Sequence, residues 1–167
     1  MSGVANEVLD HRLRRLTRLC AALPETQCAL ADSHATFRVR GKVFVYFLSN
    51  HHGDGIVSVC CKSSLGENVD RASSAPERYY LPAYIGPRGW FGLRLDQGAI
   101  DWQEVENVVE LSYRLVAPRT LLRALDARKA PTATRKSSLP SGERRGRNAT
   151  QKAPGRLSRR ATRRPTR

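Results

Sequence analysis

Charged and aromatic residues occupy different parts of this chain, and that division limits where a folded core can form. All eleven aromatic residues lie between Phe37 and Tyr113. The last forty residues hold 14 of the 29 Lys and Arg residues but only one of the 15 acids, Glu143. So much charge with so little apolar surface cannot offset the entropy cost of ordering. The sequence therefore predicts one folded domain over residues 1–127 and a disordered basic tail over residues 128–167.

The predicted domain is near neutral, with the remaining 15 basic and 14 acidic residues. Its N-terminus is polar, and its longest apolar run, residues 43–48, is too short for a secretory signal or a membrane span. We expect a cytoplasmic protein and leave association with the nucleoid open. The four cysteines have no metal-ligand spacing, so we expect reduced thiols, with Cys60 and Cys61 on opposite faces of a strand.

Apolar periodicity predicts alternating helices and strands. A stripe of apolar residues predicts a helix over about residues 4–22, formed by Leu9, Leu13, Leu16, Cys20 and Leu23. After a loop, alternation around Gly41 predicts a hairpin with strands near residues 37–39 and 43–48. A third strand at 56–62, a weak helix at 65–75 and a strand at 89–96 follow. Asp101 and Glu104 predict a capping box at the start of the next helix, and Pro118 separates it from a short final helix ending near residue 127.

Three blocks of the sequence resemble the MmcQ/YjbR family in the version common among high-GC bacteria. They are FRVRGKVF (37–44), PERYYLPAYIGPRGWFGLRLD (76–96) and DWQEVENVVELSYRLVAPRTL (101–121). The resemblance covers roughly residues 7–125 and implies a two-layer α/β domain built α-β(3)-α-β(2)-α. This agrees with the α+β class that the short links between strands predict, an antiparallel sheet covered by helices.

The function that the resemblance implies is less settled than the fold. Members of the family are described as DNA-binding proteins because of a double-wing shape, and the same topology resembles secretion chaperones, which bind proteins. The family supplies no agreed catalytic residues. We also find no Walker loop, no nucleophile elbow and no zinc-protease motif, so we expect no enzyme, cofactor or metal site. His51, His52 and Asp54 are interpreted as solvated turn residues, and Cys60 and Cys61 as buried, unreactive thiols.

Basic residues at two predicted turns suggest contact with nucleic acid. Arg38, Arg40 and Lys42 flank the Gly41 turn, and Arg88 lies between Gly86 and Gly89, which would let the backbone approach a ligand closely. Contacts of this kind with phosphates give affinity and register but no sequence choice. The opposing interpretation is that these charges only solvate a nearly neutral domain.

The basic tail favours binding to duplex DNA, mainly through backbone contacts. Its candidate phosphate-binding residues are Arg144, Arg145, Arg147, Arg156, Arg159, Arg160, Arg163 and Arg164. The tail has no aromatic residue for stacking on bases and no apolar face for insertion into a membrane, so we expect no membrane partner.

Two other functions remain open from the sequence. The domain could be a protein-binding adaptor, with the tail as an appendage. It could also be a small enzyme with Tyr84, Trp90 and Tyr113 around a pocket, although core packing is the more ordinary role for such aromatic residues. The oligomeric state is not determined by the sequence.

Overall fold

A computed structural model describes residues 2–31 and 34–130 of this chain, with side chains from residue 11 onward. The helices are α1 (Ser2–Ala21), α2 (Glu67–Ser74), α3 (Trp102–Val116) and α4 (Arg119–Lys129). The strands are β1 (Thr26–Ala31), β2 (His34–Val39), β3 (Lys42–Ser49), β4 (Val57–Lys62), β5 (Tyr79–Tyr80) and β6 (Trp90–Arg94). Short 3₁₀ turns occupy His51–Gly53 and Gly86–Arg88. Of the predicted tail over residues 128–167, the part from residue 131 onward lies outside the described residues.

The six strands form one sheet in the order β1-β2-β3-β4-β6-β5, and every neighbouring pair is antiparallel. Four of the five pairs join strands that follow one another in the chain, as short connections favour. The predicted α+β class, with an antiparallel sheet covered by helices, is confirmed.

The helices bury one face of the sheet. Alternate residues such as Val45 and Phe47 of β3 and Val59 of β4 point toward this helical layer and are fully buried. They pack with Leu16 and Cys20 of α1 and with apolar residues of α3 and α4, namely Val105, Val109, Leu121 and Leu125. None of the described helices packs on the opposite face of the sheet, and we call it the outer face.

A β-bulge in β3 tightens the contact between the sheet and α3. Phe37 is opposite Val45 while the next residue, Arg38, is opposite Val43, so Phe44 is the extra residue. The backbone oxygen of Phe44 accepts a hydrogen bond from the Ser112 hydroxyl, which in turn accepts one from the backbone N–H of Lys62 at 2.8 Å. One buried serine of α3 thereby holds both β3 and β4.

The structure has four strands before α2, where the sequence predicts three. The additional strand, β1, lies in the segment that is predicted to be a loop. It is an edge strand with mostly exposed side chains, so TQCALA carries no alternating pattern of burial. The short strand β5 forms the other edge, and α4 extends two residues beyond its predicted end.

The start of α3 confirms the predicted N-cap but not the full capping box. The Asp101 carboxylate accepts hydrogen bonds from the backbone N–H groups of Gln103 and Glu104 at 2.9 and 3.2 Å. The Glu104 carboxylate instead binds Arg78 and the Tyr79 hydroxyl, because β5 passes beside this end of α3. Among the described helices, none combines the length and the apolar composition needed to span a membrane.

Candidate functional site

The β2–β3 turn places basic side chains at one end of the sheet. Arg38 and Lys42 are exposed and make no ion pair within the described residues. Arg40 adopts a left-handed backbone conformation, with φ of 49°, in the tight turn with Gly41. Its guanidinium pairs with Glu25 at the start of β1, with Nε and Oε2 2.5 Å apart. Of the three basic residues predicted to bind in this turn, one is thus neutralised, and the other two have no ion pair in the part of the chain that the structure describes.

Arg88 lies on the loop that joins β5 to β6, at residues 81–89. It is exposed and has no ion pair in the described part of the chain. The loop is anchored to the domain, because the buried side chain of Asn68 donates to the backbone oxygens of Gly86 and Trp90. The backbone of Ser63 donates to the oxygen of Gly89 at 2.8 Å.

The two glycines beside Arg88 serve this loop rather than a ligand. At Gly89, φ is 84°, and an added Cβ would come within 2.8 Å of the Ser63 oxygen. At Gly86, an added Cβ would press on Leu81 at 3.3 Å. Both glycines are therefore explained by packing within the domain, and close approach of a ligand to this backbone stays a prediction.

Strand register brings the two basic loops to the same end of the sheet. Val39 pairs with Lys42 at the β2–β3 turn, and Lys62 pairs with Trp90 at the start of β6. Only β4 separates β3 from β6, so the loops lie roughly 10 to 15 Å apart at a strand spacing of about 4.8 Å. The half-buried Lys62 lies between them and also lacks an ion pair within the described residues. The eight predicted tail arginines, 144–164, lie outside the described residues.

A pocket of about 370 Å³ opens on the outer face, at the side away from the basic end. Tyr46 of β3, Tyr80 of β5 and Tyr84 of the 81–89 loop line it. Tyr84 has φ of 58° and its side chain is 84% exposed, so the prediction that it serves core packing is wrong. Of the other two aromatic residues predicted for a pocket, Trp90 packs against Tyr46 with ring centroids 5.1 Å apart and planes tilted by 48°, and Tyr113 is buried in the helical layer.

Three histidines and a carboxylate also line the pocket. The backbone N–H of Ser49 donates to Nδ1 of His34 at 3.3 Å, and Nε2 of His34 lies 3.2 Å from Nδ1 of His51. His52 packs beside His51, with ring centroids 4.0 Å apart, and Asp54 accepts a hydrogen bond from the N–H of Ile56. Burial, then the neighbouring His52 and His34, lower the pKa of His51. His51 is therefore part of a hydrogen-bonded chain rather than a simply solvated turn residue.

The cysteines do not form a reactive centre. Cys60 faces the outer side near Tyr80 and Ser58, and Cys61 faces the core, as predicted for adjacent strand residues. Burial raises the pKa of the Cys60 thiol to about 11 and that of Cys61 well above its usual range. Protonated, buried thiols are poor nucleophiles. Within the described residues, no three His, Cys, Asp or Glu side chains are arranged to hold a metal ion.

Sequence reasoning missed the pocket although it named some of its residues. His34, Tyr46 and Tyr80 were not singled out, because each lies in an apolar or aromatic strand segment whose two faces look alike in sequence. The apolar residues on both faces of β3 are a signal that the outer face is also partly buried.

Comparison with known proteins agrees with this architecture. A family model described as YjbR matches residues 21–115. No curated protein sequence matches this chain significantly. The crystal structure of Deinococcus radiodurans protein DR2400, with a domain of family DUF419, superposes with a TM-score of 0.52. That structure is 16% identical in sequence, and the alignment covers 66% of this chain and 85% of the other, so the similarity concerns the fold.

Proposed function

This chain belongs to the YjbR family, and on that premise we propose that it binds duplex DNA largely without sequence specificity. The binding elements are the basic tail and the basic end of the sheet. The observation that carries the proposal is that Arg38, Lys42 and Arg88, all exposed and free of ion pairs within the described residues, occupy one end of the sheet. Unpaired cations can replace the counterions around phosphates without first breaking a bond of their own.

Distribution of charge supports a role for the tail as the main source of affinity. Residues 128–167 carry 14 basic residues and one acid, whereas the domain is near neutral. Each phosphate that a Lys or Arg neutralises on B-DNA contributes about −0.9 to the slope of log K against log salt. Eight tail arginines bound to phosphates would give a slope of about −7. Binding of this kind makes no contact with base edges, so the affinity depends on charge and geometry and not on the base sequence.

Salt-dependent binding of a labelled duplex tests the proposal. The tail variant replaces all eight arginines with Gln: Arg144, Arg145, Arg147, Arg156, Arg159, Arg160, Arg163 and Arg164. It should bind more weakly, and its salt slope should become shallower by about 0.9 for every phosphate that the tail no longer neutralises. Fluorescence anisotropy from 50 to 300 mM salt measures both quantities. Absence of duplex binding by the parent chain at the lowest salt would refute the proposal.

A second variant tests the basic end of the sheet separately. The substitutions Arg38→Gln, Lys42→Gln and Arg88→Gln remove three charges but leave the Arg40–Glu25 pair intact. The matched control removes three exposed charges from the helical layer, with Arg18→Gln, Arg119→Gln and Arg123→Gln. The first variant should weaken binding more than the control does. Equal weakening would mean that net charge alone matters and that the two loops do not contact DNA.

Binding to a protein partner is the second candidate function. It is favoured by apolar side chains that the fold leaves in solvent beside a groove of about 200 Å³ between α2 and α3. Leu111 and Leu115 of α3 line this groove and are 50% and 52% exposed, and Leu65, before α2, is 80% exposed. If the parent chain fails to bind duplex DNA, this groove is the surface to probe by mutation.

A further inference from the structure

The pocket on the outer face has the size and lining of a small-molecule site. Its volume of about 370 Å³ lies within the range of roughly 300 to 1,000 Å³ that is usual for ligand pockets. Three tyrosines line it, together with His34, His51, His52 and Asp54. Aromatic walls with a few fixed polar groups are typical of sites for planar, polar molecules.

Tyr84 adopts an unusual conformation in the lining of this pocket. A non-glycine residue with φ near 58° is uncommon, and large side chains rarely adopt it. The loop that carries Tyr84 is anchored on its C-terminal side, where Asn68 donates to the oxygens of Gly86 and Trp90 and the backbone of Ser63 donates to the oxygen of Gly89. Within the described residues, the Tyr84 ring stacks on no other ring. Strained residues of this kind cluster at ligand sites, and a free ring is a ready stacking surface.

The histidine chain fixes a hydrogen-bond donor in the pocket. Nδ1 of His34 accepts from the backbone of Ser49, so a neutral His34 carries its proton on Nε2. That Nε2–H donates to Nδ1 of His51 at 3.2 Å. A neutral His51 therefore carries its own proton on Nε2, where it can donate to a ligand. Asp54 also lines the pocket and uses one carboxylate oxygen for the N–H of Ile56, leaving the other as an acceptor.

A donor and an acceptor beside aromatic rings match the edge and the face of a heteroaromatic base. An alkyl chain would cover the imidazole and the carboxylate without giving them partners, which is unfavourable. A sugar would find few hydrogen-bonding groups on the tyrosine faces.

Arg38 and Arg88 lie outside the pocket lining, on two elements that contribute residues to it. Arg38 is two residues from Thr36 on the same face of β2, and Thr36 lines the pocket. Arg88 follows Ile85, another lining residue, by three positions in the loop. Both arginines are exposed and lack ion pairs within the described residues.

We infer that the pocket binds the base of a nucleotide, stacked on Tyr84 and hydrogen-bonded on its edge to His51 and Asp54, with the phosphate toward Arg38 or Arg88. The base comes either from a free mononucleotide or from an unpaired position of a single strand. Duplex DNA hides its bases, so this site goes beyond the proposed function and does not depend on it.

Intrinsic fluorescence of Trp90 reports on this pocket. In the full-length chain with Trp102→Phe, Trp90 is the only tryptophan, and it contacts Tyr46, which lines the pocket. AMP, GMP, CMP and UMP are titrated at 0.5 M salt, where phosphate contacts with the tail are largely suppressed. At least one nucleotide should change the fluorescence in a saturable manner, and ribose 5-phosphate, which has no base, should not. Circular dichroism confirms that the variant is folded.

Substitution of Tyr84 tests the stacking contact. Tyr84→Asn removes the ring but keeps a residue that tolerates positive φ, and it should weaken binding about tenfold, as expected when one base–aromatic stack is removed. Leu65→Ala is the matched control, because Leu65 is also highly exposed but does not line the pocket. It should leave the affinity unchanged.

A single-stranded hexanucleotide distinguishes the two sources of the base. Tyr84-dependent binding of mononucleotides assigns the site to free nucleotides, and Tyr84-dependent binding of the hexanucleotide alone assigns it to single strands. The inference is overturned if no probe alters Trp90 fluorescence, if ribose 5-phosphate acts like the nucleotides, or if Tyr84→Asn and Leu65→Ala behave alike. Duplex binding at low salt should be the same in Tyr84→Asn as in the parent, so this test and that of the proposed function fail independently.

Discussion

At the scale of single residues, Gly92 shows how one missing side chain shapes the outer face. Gly92 lies in the middle of β6, opposite Tyr80 of β5 and Cys60 of β4. The Tyr80 ring lies over it, so an added Cβ would come within 2.8 Å of Cδ1 and closer still to Cε1 and Cζ. From this position the Tyr80 hydroxyl hydrogen-bonds to the buried Ser58 hydroxyl at 2.8 Å. Glycine therefore allows the tyrosine that lines the pocket to lie flat on the sheet.

Gly92→Ala should destabilise the domain by about 1 to 3 kcal/mol, the usual cost of overpacking, because Tyr80 must leave its place and its bond to Ser58. In a Tyr80→Ala background the same change should be neutral or stabilising by about 0.5 kcal/mol, since alanine is preferred to glycine within a strand. Urea denaturation of the four chains of this double-mutant cycle measures the coupling. Equal effects of Gly92→Ala in both backgrounds would show that Tyr80 does not rest on Gly92.

At the scale of elements, His34 and His51 join the end of the β2–β3 hairpin to the His51–Gly53 turn. His34 holds the backbone of Ser49 with one ring nitrogen and His51 with the other, so both nitrogens are in use. Protonation of either ring would place two N–H groups against each other or remove the acceptor for Ser49. The contact between these elements therefore depends on neutral imidazoles.

This contact predicts a decrease in stability in mild acid. The pKa of His51 is lowered by burial and by His52 and His34, while the nearby Asp54 opposes the change. A histidine with a lowered pKa in the folded state binds fewer protons than it does unfolded, so stability rises with pH where only the unfolded chain is protonated. The contribution of His51 should be complete above about pH 6.5, the ordinary histidine value, and decline as the pH falls below it.

Urea denaturation at several pH values between 5 and 8 measures this effect. The difference in unfolding free energy between the parent chain and His51→Gln should be constant above about pH 6.5 and shrink below it. His11→Gln, an exposed histidine of α1, is the control for removal of an unlinked imidazole. A difference that stays constant down to pH 5 would mean that His51 is not held neutral by the fold.

At the scale of the whole molecule, stability and the proposed binding depend on different parts of the chain. The core residues that the structure describes run from Leu13 to Leu125, and the basic surplus lies after Ala127. A buried core supplies stability in proportion to apolar area, whereas phosphate binding needs accessible charge. The two properties should respond to different mutations.

The tail variant with eight arginines changed to Gln should therefore keep the thermal unfolding midpoint of the parent chain while losing affinity for duplex DNA. Differential scanning calorimetry compares the two midpoints at 0.5 M salt, because this salt concentration screens the repulsion between the basic residues of the parent chain. A lower midpoint in the variant would show that these arginines contribute to the folded state and would contradict the division of roles.

The sequence predicted best those elements that carry a clear local signal, either a regular pattern of buried and exposed side chains or a capping residue. The apolar stripe with Leu16 and Cys20 located α1, the Asp101 cap located the start of α3, and alternation around Gly41 located the β2–β3 hairpin. β1 was missed because an edge strand exposes most of its side chains and so lacks a pattern. Near the end of α3, Leu115 is 52% exposed whereas the next residue, Val116, packs against the core, a choice that depends on where the helix meets the sheet.

What the sequence determined by itself is the division into a neutral domain and a basic tail, the fold class and the positions of the main elements. These follow from composition and from periodicity, which depend on neighbours along the chain. Only the tertiary structure decided that Arg40 is paired with Glu25 while Arg38 and Arg88 have no ion pair among the described residues, and that Tyr84 lines one pocket with His34 and His51. Such relations join residues 15 to 50 positions apart, and strand register and loop anchoring, rather than local pattern, bring them together.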